Sequence, residues 1–334
     1  MRHNGSESRG AEIMLKIPQR LPRAFRVSVL SQALPIVLRH RLMRPYRRRP
    51  PVSTQTITSP HFGTTRGLDA VCELFVIGYA ELANRSVSRH TGLLLVLYIE
   101  WIQLIDDEFE RLVAEGRHPS FEDISNERRA REVWDVMSRV GSVMCGGEDH
   151  VSDYLQRTAE TAYPVYAAAV NEASRSNSFE AHLAVARVDA GLILRNVYEL
   201  IRVANGHTYA ATVADQYYHT GLAGKFFDDF VDLAVDKQEQ APNLLRPLLE
   251  MNPEVAERVQ HAVDTRTQMT IPWWRDNGPE VVREHFKRAY EFYKLVDSMS
   301  LRLIVDLHII LLYSKRYWAS LPSSQVGADN VCDE

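Results

Sequence analysis

Residues 224–236 read GKFFDDFVDLAVD and place Asp228, Asp232 and Asp236 four residues apart. On an α-helix of 3.6 residues per turn, side chains with this spacing lie along one face, with about 6 Å of rise between neighbours. Like charges so arranged destabilise a helix by roughly 0.2–0.5 kcal/mol per pair. The residues between them are mostly apolar, so we expect a largely buried helix whose acidic stripe binds a hard cation such as Mg²⁺.

The alternative interpretation of such a stripe is a solvated surface face, because acidic runs on helices usually face water. Lys225 and Lys237 are the only nearby cations. A second acidic cluster favours the metal site: residues 92–105 read GLLLVLYIEWIQLI, and Asp106–Glu110, DDEFE, follows directly. Carboxylates beside a buried apolar helix are costly to desolvate unless they are paired or metal-bound. Two such clusters facing each other would hold several divalent ions.

Composition is that of a globular protein: 334 residues, of which 45% are hydrophobic and 25% charged. The three cysteines, Cys72, Cys145 and Cys332, are far apart and odd in number. They predict a reduced compartment and no zinc site. No uninterrupted apolar run reaches the roughly 18 residues that a membrane span needs. We therefore expect a soluble, cytoplasmic protein with no transmembrane segment.

The charge is unevenly distributed along the chain. Residues 1–51 carry twelve Lys or Arg against two Glu, so this region has a charge of +10 and the rest of the chain −14, for a total of −4. We predict a basic, poorly ordered N-terminal extension over residues 1–60. A transit peptide and a phosphate-attracting flap are the alternatives. Aromatic residues are not interleaved with the arginines, and no recognition module is present, so we expect no nucleic-acid partner.

From Gly67 onward, apolar residues recur every three to four positions, and strand-like alternation is nearly absent. We find no internal repeat and no glycine-rich phosphate loop. The pattern predicts an all-α protein, with about ten helices packed into a single-domain bundle over residues 61–320. Residues 321–334 are predicted to form a flexible tail.

Two acidic stretches resemble the metal-binding motifs of class I terpene synthases of the bacterial type. Asp106–Glu110 resembles the family's DDxx(D/E) motif, and residues 228–236 have the spacing of its NDxxSxxxE triad. In the triad, Asp228 replaces Asn, Asp232 replaces Ser and Asp236 replaces Glu. The resemblance implies a domain of the class I isoprenoid synthase type that binds Mg²⁺, three ions in all. The implied metal ligands are Asp106, Asp107, Glu110, Asp228, Asp232 and Asp236.

Two further stretches, in the family's order, carry the resemblance. Residues 186–191, ARVDAG, are similar to the segment in which an arginine senses diphosphate and a glycine breaks the helix. Arg316-Tyr317 resembles the family's closing Arg-Tyr pair. The implied catalytic residues are Arg187, Gly191, Arg316 and Tyr317. The family often has a lysine just before the last metal ligand, where this chain has Val235. Lys237, just after Asp236, is our candidate for the contact with the diphosphate instead.

The resemblance implies a Mg²⁺-dependent enzyme that ionises farnesyl or geranylgeranyl diphosphate and cyclises the carbocation to a terpene hydrocarbon or alcohol. Such a cation needs a dry cavity with aromatic faces. Candidates for its lining, on helices expected to face inward, are Phe75, Tyr79, Tyr98, Trp101, Phe226 and Phe227. The partner would be a small prenyl diphosphate, and a homodimer is the assembly that we consider.

Two other functions stay open. Phe227–Asp232 also resembles the second DDxxD of chain-elongating prenyl diphosphate synthases, but those enzymes carry an Arg-Arg pair soon after the first motif. Here Glu110-Arg111-Leu112 follows, which favours the cyclase. The other alternative is a catalytically silent helical scaffold that binds a partner through its acidic faces. It would not explain why both acidic clusters adjoin apolar helix surface.

Overall fold

The computed structural model describes residues 7–47, 68–147 and 150–314. Within these ranges the chain forms fifteen α-helices and one π-helical segment, and no strand. The predicted all-α class is confirmed. No helix in the same ranges combines the length and the apolarity needed to cross a bilayer.

The α-helices are α1 (Glu7–Lys16), α2 (Arg23–Arg47), α3 (Leu68–Ala83), α4 (Thr91–Ala114), α5 (Phe121–Ser125), α6 (Arg128–Met144), α7 (His150–Arg175), α8 (Phe179–Ala186), α9 (Ile193–Ala204), α10 (Ala211–Glu239), α11 (Arg246–Glu250), α12 (Pro253–Asp264), α13 (Ile271–Asn277), α14 (Pro279–Tyr293) and α15 (Met299–Leu312). The π-helical segment, Arg187–Leu192, lies between α8 and α9.

One hydrophobic core joins the two ends of the described chain. Its buried residues run from Ile13 in α1 to Leu312 in α15, so the helices form a single domain. Helix α10 lies at the centre and packs against α9, α14, α15 and the π-helical segment. The side chains on its inner face are at most 1% exposed: Phe226, Phe227, Phe230 and Leu233. The helix predicted to carry the acidic stripe is therefore the one that the core surrounds.

Helix α10 ends at Glu239 because the next residue leaves helical geometry. Gln240 has a φ of 58°, in the left-handed region. The backbone N–H of Ala241 then donates to the carbonyl of Asp236 at 2.8 Å, which satisfies one of the free carbonyls at the helix end. The chain turns back onto α10, where Asn243 bonds to the helix. This return fixes the C-terminal half of the acidic stripe.

The basic N-terminal region differs from its prediction. Residues 7–47 form α1 and α2 instead of a poorly ordered extension. Ile13, Phe25 and Val29 are each 3% exposed, and burying a side chain of this kind contributes about 1.5–3 kcal/mol. Helix α1 packs against α14, and α2 packs against α3 and α15. The prediction was based on the many arginines and overlooked the apolar residues that recur between them at helical spacing. The rest of the predicted extension and the predicted tail, 321–334, lie outside the described residues.

Candidate functional site

The predicted acidic stripe lies on α10 and is partly withdrawn from solvent. Asp228, Asp232 and Asp236 are each half-buried. Asp236 accepts a hydrogen bond from Nδ2 of Asn243 at 2.7 Å. Burial, followed by repulsion from Asp228 and Asp236, raises the pKa of Asp232 to about 8. A cation beside this carboxyl would lower its pKa again, because it favours the ionised form.

The neighbouring Asp229 anchors the chain behind the stripe. It is completely buried, and its Oδ2 accepts the backbone N–H of Leu244 at 2.6 Å. Nδ2 of Asn243 donates to the Asp229 carbonyl at 2.9 Å, and the Asn243 backbone N–H donates to Nδ1 of His182 at 3.0 Å. Burial lowers the pKa of His182 to about 4, so the imidazole is neutral and can accept this bond. These bonds hold α10 and the following loop as one unit.

Lys225 supplies the positive charge of the site. Its Nζ lies 3.2 Å from Oδ2 of Asp189 and 3.3 Å from Oδ1 of Asp229. Burial opposes the charge of the ammonium, but the surrounding carboxylates, led by Asp189 and Asp229, outweigh burial and raise the pKa of Lys225 well above its ordinary value. Since Asp189 belongs to the π-helical segment, this permanently charged side chain joins that segment to α10.

The first acidic cluster lies in the second half of α4. Asp106 is half-buried, whereas Asp107 and Glu110 are exposed. The hydroxyl of Tyr166 donates to Oδ1 of Asp106 at 3.4 Å. Burial, followed by repulsion from Asp189 and Glu110, raises the pKa of Asp106 to about 8. Asp106 in the first cluster and Asp232 in the second are therefore hard to ionise without a nearby cation.

The two acidic clusters share one counter-charge. The ammonium of Lys225 lowers the pKa of both Asp106 and Asp232, although larger effects raise both. Charge interactions of this kind require proximity, because they weaken with distance and with intervening water. The fold thus brings α4, the π-helical segment and α10 into one electrostatic neighbourhood. That these carboxylates bridge to one another through metal ions stays a prediction.

A cavity of about 110 Å³ opens beside Asp106 and Asp189. It lies between α4, α5, α7, α9 and the π-helical segment, and these two aspartates are the charged residues of its wall. Most of the rest of the wall is apolar or aromatic. Its aromatic residues are Tyr98, Trp101, Phe109, Phe121, Tyr163 and Tyr166. The site is therefore an aromatic cavity with carboxylates at one place on its wall.

The carboxylates mark one end of the cavity. Along α4, Tyr98 and Asp106 are eight residues apart, or about 12 Å. Asp189 lies close enough to Asp106 to raise the pKa of Asp106. Asn196, on α9 directly after the π-helical segment, lies beside Tyr98. The cavity is therefore acidic at one end and mainly apolar beyond it.

Sequence reasoning identified only part of this lining. Tyr98 and Trp101, two of the six aromatic residues predicted for the cavity, are in its wall. The other four are buried in the core instead: Phe75, Tyr79, Phe226 and Phe227. The aromatic residues that the prediction missed lie on α4, α5 and α7. For Phe226 and Phe227 the prediction was wrong because the inner face of α10 packs against α14.

Two glycines allow α10 to approach the π-helical segment closely. A Cβ at Gly221 would lie 2.2 Å from the carbonyl oxygen of Ala190, and a Cβ at Gly191 would lie 2.5 Å from the ring of Tyr218. Neither position has room for a larger residue without movement of its neighbours. The π-helical geometry, which is frequent at functional sites, brings Asp189 into the cavity wall. That Gly191 aims its carbonyl at a bound cation stays a prediction.

The remaining candidates lie away from the cavity or outside the described chain. Arg187 begins the π-helical segment, but half of its side chain is exposed and its Nη2 lies 3.9 Å from Oε2 of Glu180. Lys237 is exposed near the end of α10. Arg316 and Tyr317 lie outside the described residues. Contacts between these residues and a diphosphate stay predictions.

The donor set of the site fits Mg²⁺. In the described part of the chain, no group of three or more His, Cys, Asp or Glu side chains is arranged to hold a metal ion. Mg²⁺ does not require one, because proteins usually hold it with one or two carboxylates, waters and substrate phosphates. The carboxylates around Asp106 and Asp232, which raise the pKa of these two residues, supply both the oxygen ligands and the negative charge that this ion needs.

Asp189 and Lys225 received no role from the sequence. Lys225 precedes Asp229 by four residues, the spacing of a helical ion pair, and this signal could have indicated it. No local signal identifies Asp189, since its partners Lys225 and Asp106 lie on other helices. Both residues belong to the site because of the tertiary fold.

Comparison with known proteins adds no assignment. No protein-family model matches the chain, and no curated protein matches it.

Proposed function

We propose that the protein is a Mg²⁺-dependent class I terpene synthase that acts in the cytoplasm, ionises farnesyl or geranylgeranyl diphosphate and cyclises the carbocation to a terpene hydrocarbon or alcohol. The cavity is the observation that carries this proposal. Its wall is largely aromatic and apolar, its acidic end contains Asp106 and Asp189, and Lys225 connects that end to the stripe on α10. A prenyl diphosphate is divided in the same way, into an apolar chain and a strongly charged head.

The acidic end would receive the diphosphate. The residues that would hold Mg²⁺ there are Asp106, Asp228, Asp232 and Asp236. When bound, the ion supplies positive charge to the departing diphosphate. Lys225 stays charged within the same neighbourhood and offsets part of the negative charge of its carboxylates. The hydroxyl of Tyr166 orients the Asp106 carboxylate by donating to it.

The aromatic part of the cavity would enclose the hydrocarbon chain. Each ring face that meets the cation contributes about 0.5–2 kcal/mol, and a closed apolar wall keeps out the water that would quench it. The cavity volume of about 110 Å³ is below the roughly 300–1,000 Å³ of ordinary ligand pockets. We therefore expect side chains at the acidic end, such as Phe109, to move outward when the substrate enters.

Product analysis tests the proposal. Purified full-length protein is incubated with Mg²⁺ and geranyl, farnesyl or geranylgeranyl diphosphate, and solvent extracts are analysed by gas chromatography with mass spectrometry. We expect a terpene hydrocarbon or alcohol from one of the longer substrates, with release of diphosphate. Asp232→Asn should lose turnover, whereas Asp135→Asn, which removes an exposed carboxylate on α6, should retain it.

Two outcomes would replace the proposal. If turnover requires added isopentenyl diphosphate and yields longer diphosphates, the protein is a chain-elongating synthase. If none of the allylic diphosphates reacts under either condition while the protein is folded, the enzymatic assignment fails.

A further inference from the structure

Helix α2 has two apolar faces, and only one of them is buried. Phe25, Val29 and Ala33 point into the core and are 3–7% exposed. Val27, Leu30 and Leu34 lie on the opposite side of the helix, because their spacing of three and four residues places them on one stripe. They are 56%, 52% and 57% exposed, respectively. An amphipathic helix of a globular protein normally presents polar residues on that side.

Basic residues accompany this outward face. Arg23 and Arg26 on α2 and Arg20 just before it are exposed. From Ile13 to Gly67 the sequence contains eleven Lys or Arg and no Asp or Glu. Exposed leucine and valine beside uncompensated arginine is the composition of helices that lie in the interface of an anionic membrane.

We propose that the outward face of α2, defined by Val27, Leu30 and Leu34 with Arg23 and Arg26, docks onto the surface of an anionic lipid bilayer. The apolar stripe would enter the headgroup and acyl boundary while the arginines contact lipid phosphates. The helix lies in the plane of the membrane, since its other face remains in the protein core. Charge complementarity identifies the occupant: the same face of a second copy would bring two strongly basic regions together.

This surface is separate from the proposed catalytic site. None of its residues lines the cavity or belongs to either acidic cluster. Lipid binding can therefore be measured without turnover, and its failure would leave the proposed function untouched.

Vesicle co-sedimentation tests the proposal with full-length protein. Vesicles of phosphatidylcholine alone are compared with vesicles of equimolar phosphatidylcholine and phosphatidylglycerol. We expect binding to the mixed vesicles that weakens as salt is added. Leu30→Ser/Leu34→Ser should lower the partition coefficient about tenfold or more, because the apolar area that enters the lipid is lost. Arg23→Gln/Arg26→Gln should also lower it and should reduce its dependence on salt.

A matched control removes exposed apolar side chains elsewhere. Val143 and Met251 are 38% and 64% exposed, on α6 and after α11. Val143→Ser/Met251→Ser should bind vesicles like the wild type, and circular dichroism should show that all variants are folded. The proposal is overturned if the wild type binds neither kind of vesicle, or if the control variant loses as much binding as the α2 variants. It is also overturned if Leu30→Ser/Leu34→Ser dissociates an oligomer in size-exclusion chromatography without changing lipid binding, because the face would then contact a second copy.

Discussion

Replacing Asp232 with asparagine should stabilise the metal-free protein at mildly alkaline pH. The ordinary pKa of this carboxyl is 3.8, and burial with repulsion from Asp228 and Asp236 raises it to about 8 in the folded protein. Between these two values the folded protein binds a proton at Asp232 that the unfolded chain has released. The free energy of unfolding therefore falls as pH rises toward 8. Asparagine has nearly the same shape but no charge, so Asp232→Asn removes this loss.

The size of the effect follows from the two pKa values. They differ by about 4 pH units, and about 1.4 kcal/mol per unit gives an upper limit of about 6 kcal/mol. Because Asp232 is only half-buried, water and side-chain movement screen much of the repulsion. We therefore expect Asp232→Asn to raise the free energy of unfolding by about 1–2 kcal/mol at the higher pH. At about 2 °C per kcal/mol for a chain of this length, the Tm of Asp232→Asn should exceed that of the wild type by about 2–4 °C.

Thermal unfolding in EDTA at about pH 3.5, below the ordinary pKa of this carboxyl, and at about pH 8.5 measures this difference. The two Tm values should nearly coincide at the lower pH and separate at the higher one. Adding Mg²⁺ at the higher pH should raise the Tm of the wild type more than that of Asp232→Asn, because the ion neutralises a charge that the variant lacks. Asp135→Asn, on the exposed side of α6, controls for the loss of a carboxylate as such. The other groups with shifted pKa values, among them Asp106, Asp229, Asp306 and His182, titrate in all three proteins, so the difference between Asp232→Asn and the other two reports on Asp232.

Two results would refute this reasoning. If Asp232→Asn is less stable than the wild type at the higher pH in EDTA, the carboxylate makes a favourable interaction there, and its repulsion from the stripe is not the dominant effect. If the Tm difference is the same at both pH values, the pKa of Asp232 is the same in the folded protein and in the unfolded chain, and it is not raised.

Three further substitutions test the packing around the site. Gly221→Ala should destabilise the protein by about 1–3 kcal/mol in urea unfolding, because the new Cβ would lie 2.2 Å from the carbonyl oxygen of Ala190. Gly224→Ala on the same helix is the control, since a Cβ there would have no neighbouring atom within 4 Å. It should be neutral or stabilising by up to about 1 kcal/mol. Lys225→Met should lower the free energy of unfolding by about 3 kcal/mol or more near neutral pH, since two carboxylates lose the ammonium that pairs with them, and Lys225→Arg should recover part of that loss. Asn243→Ala should cost about 1–3 kcal/mol in the same measurement, because buried hydrogen bonds to α10 disappear.

Local spacing was sufficient to predict α4 and the stripe. The apolar stretch 92–105 was expected to be helical, and it forms the first part of α4, Thr91–Ala114, because its apolar residues recur at the helical period. The stripe of Asp228, Asp232 and Asp236 was found for the same reason: the spacing of side chains along a helix is fixed by the sequence alone.

Contacts between helices could not be predicted in this way. Nothing near Asp189 in the sequence indicates that it would meet Lys225, because the ion pair depends on how close the π-helical segment and α10 approach. Phe226 and Phe227 are aromatic residues on a largely apolar helix, as the cavity residues of α4 are. The face of α10 that carries them nevertheless packs against α14. Sequence periodicity identifies a buried face but not the element that covers it.

The packing of α10 explains why the acidic stripe cannot relieve its own repulsion. On the inner face, the ring of Phe230 lies 4.9 Å from that of His285 and 5.4 Å from that of Trp274, so rotation of the helix would disrupt the core. At its C-terminal end, Asn243 fixes the helix and the carboxylate of Asp236. The backbone therefore holds the carboxylates in place, and the repulsion has to be met by protons, by Lys225 or by a bound cation. Since a bound cation and a proton compete for the same carboxylates, metal binding near neutral pH should release protons from α10.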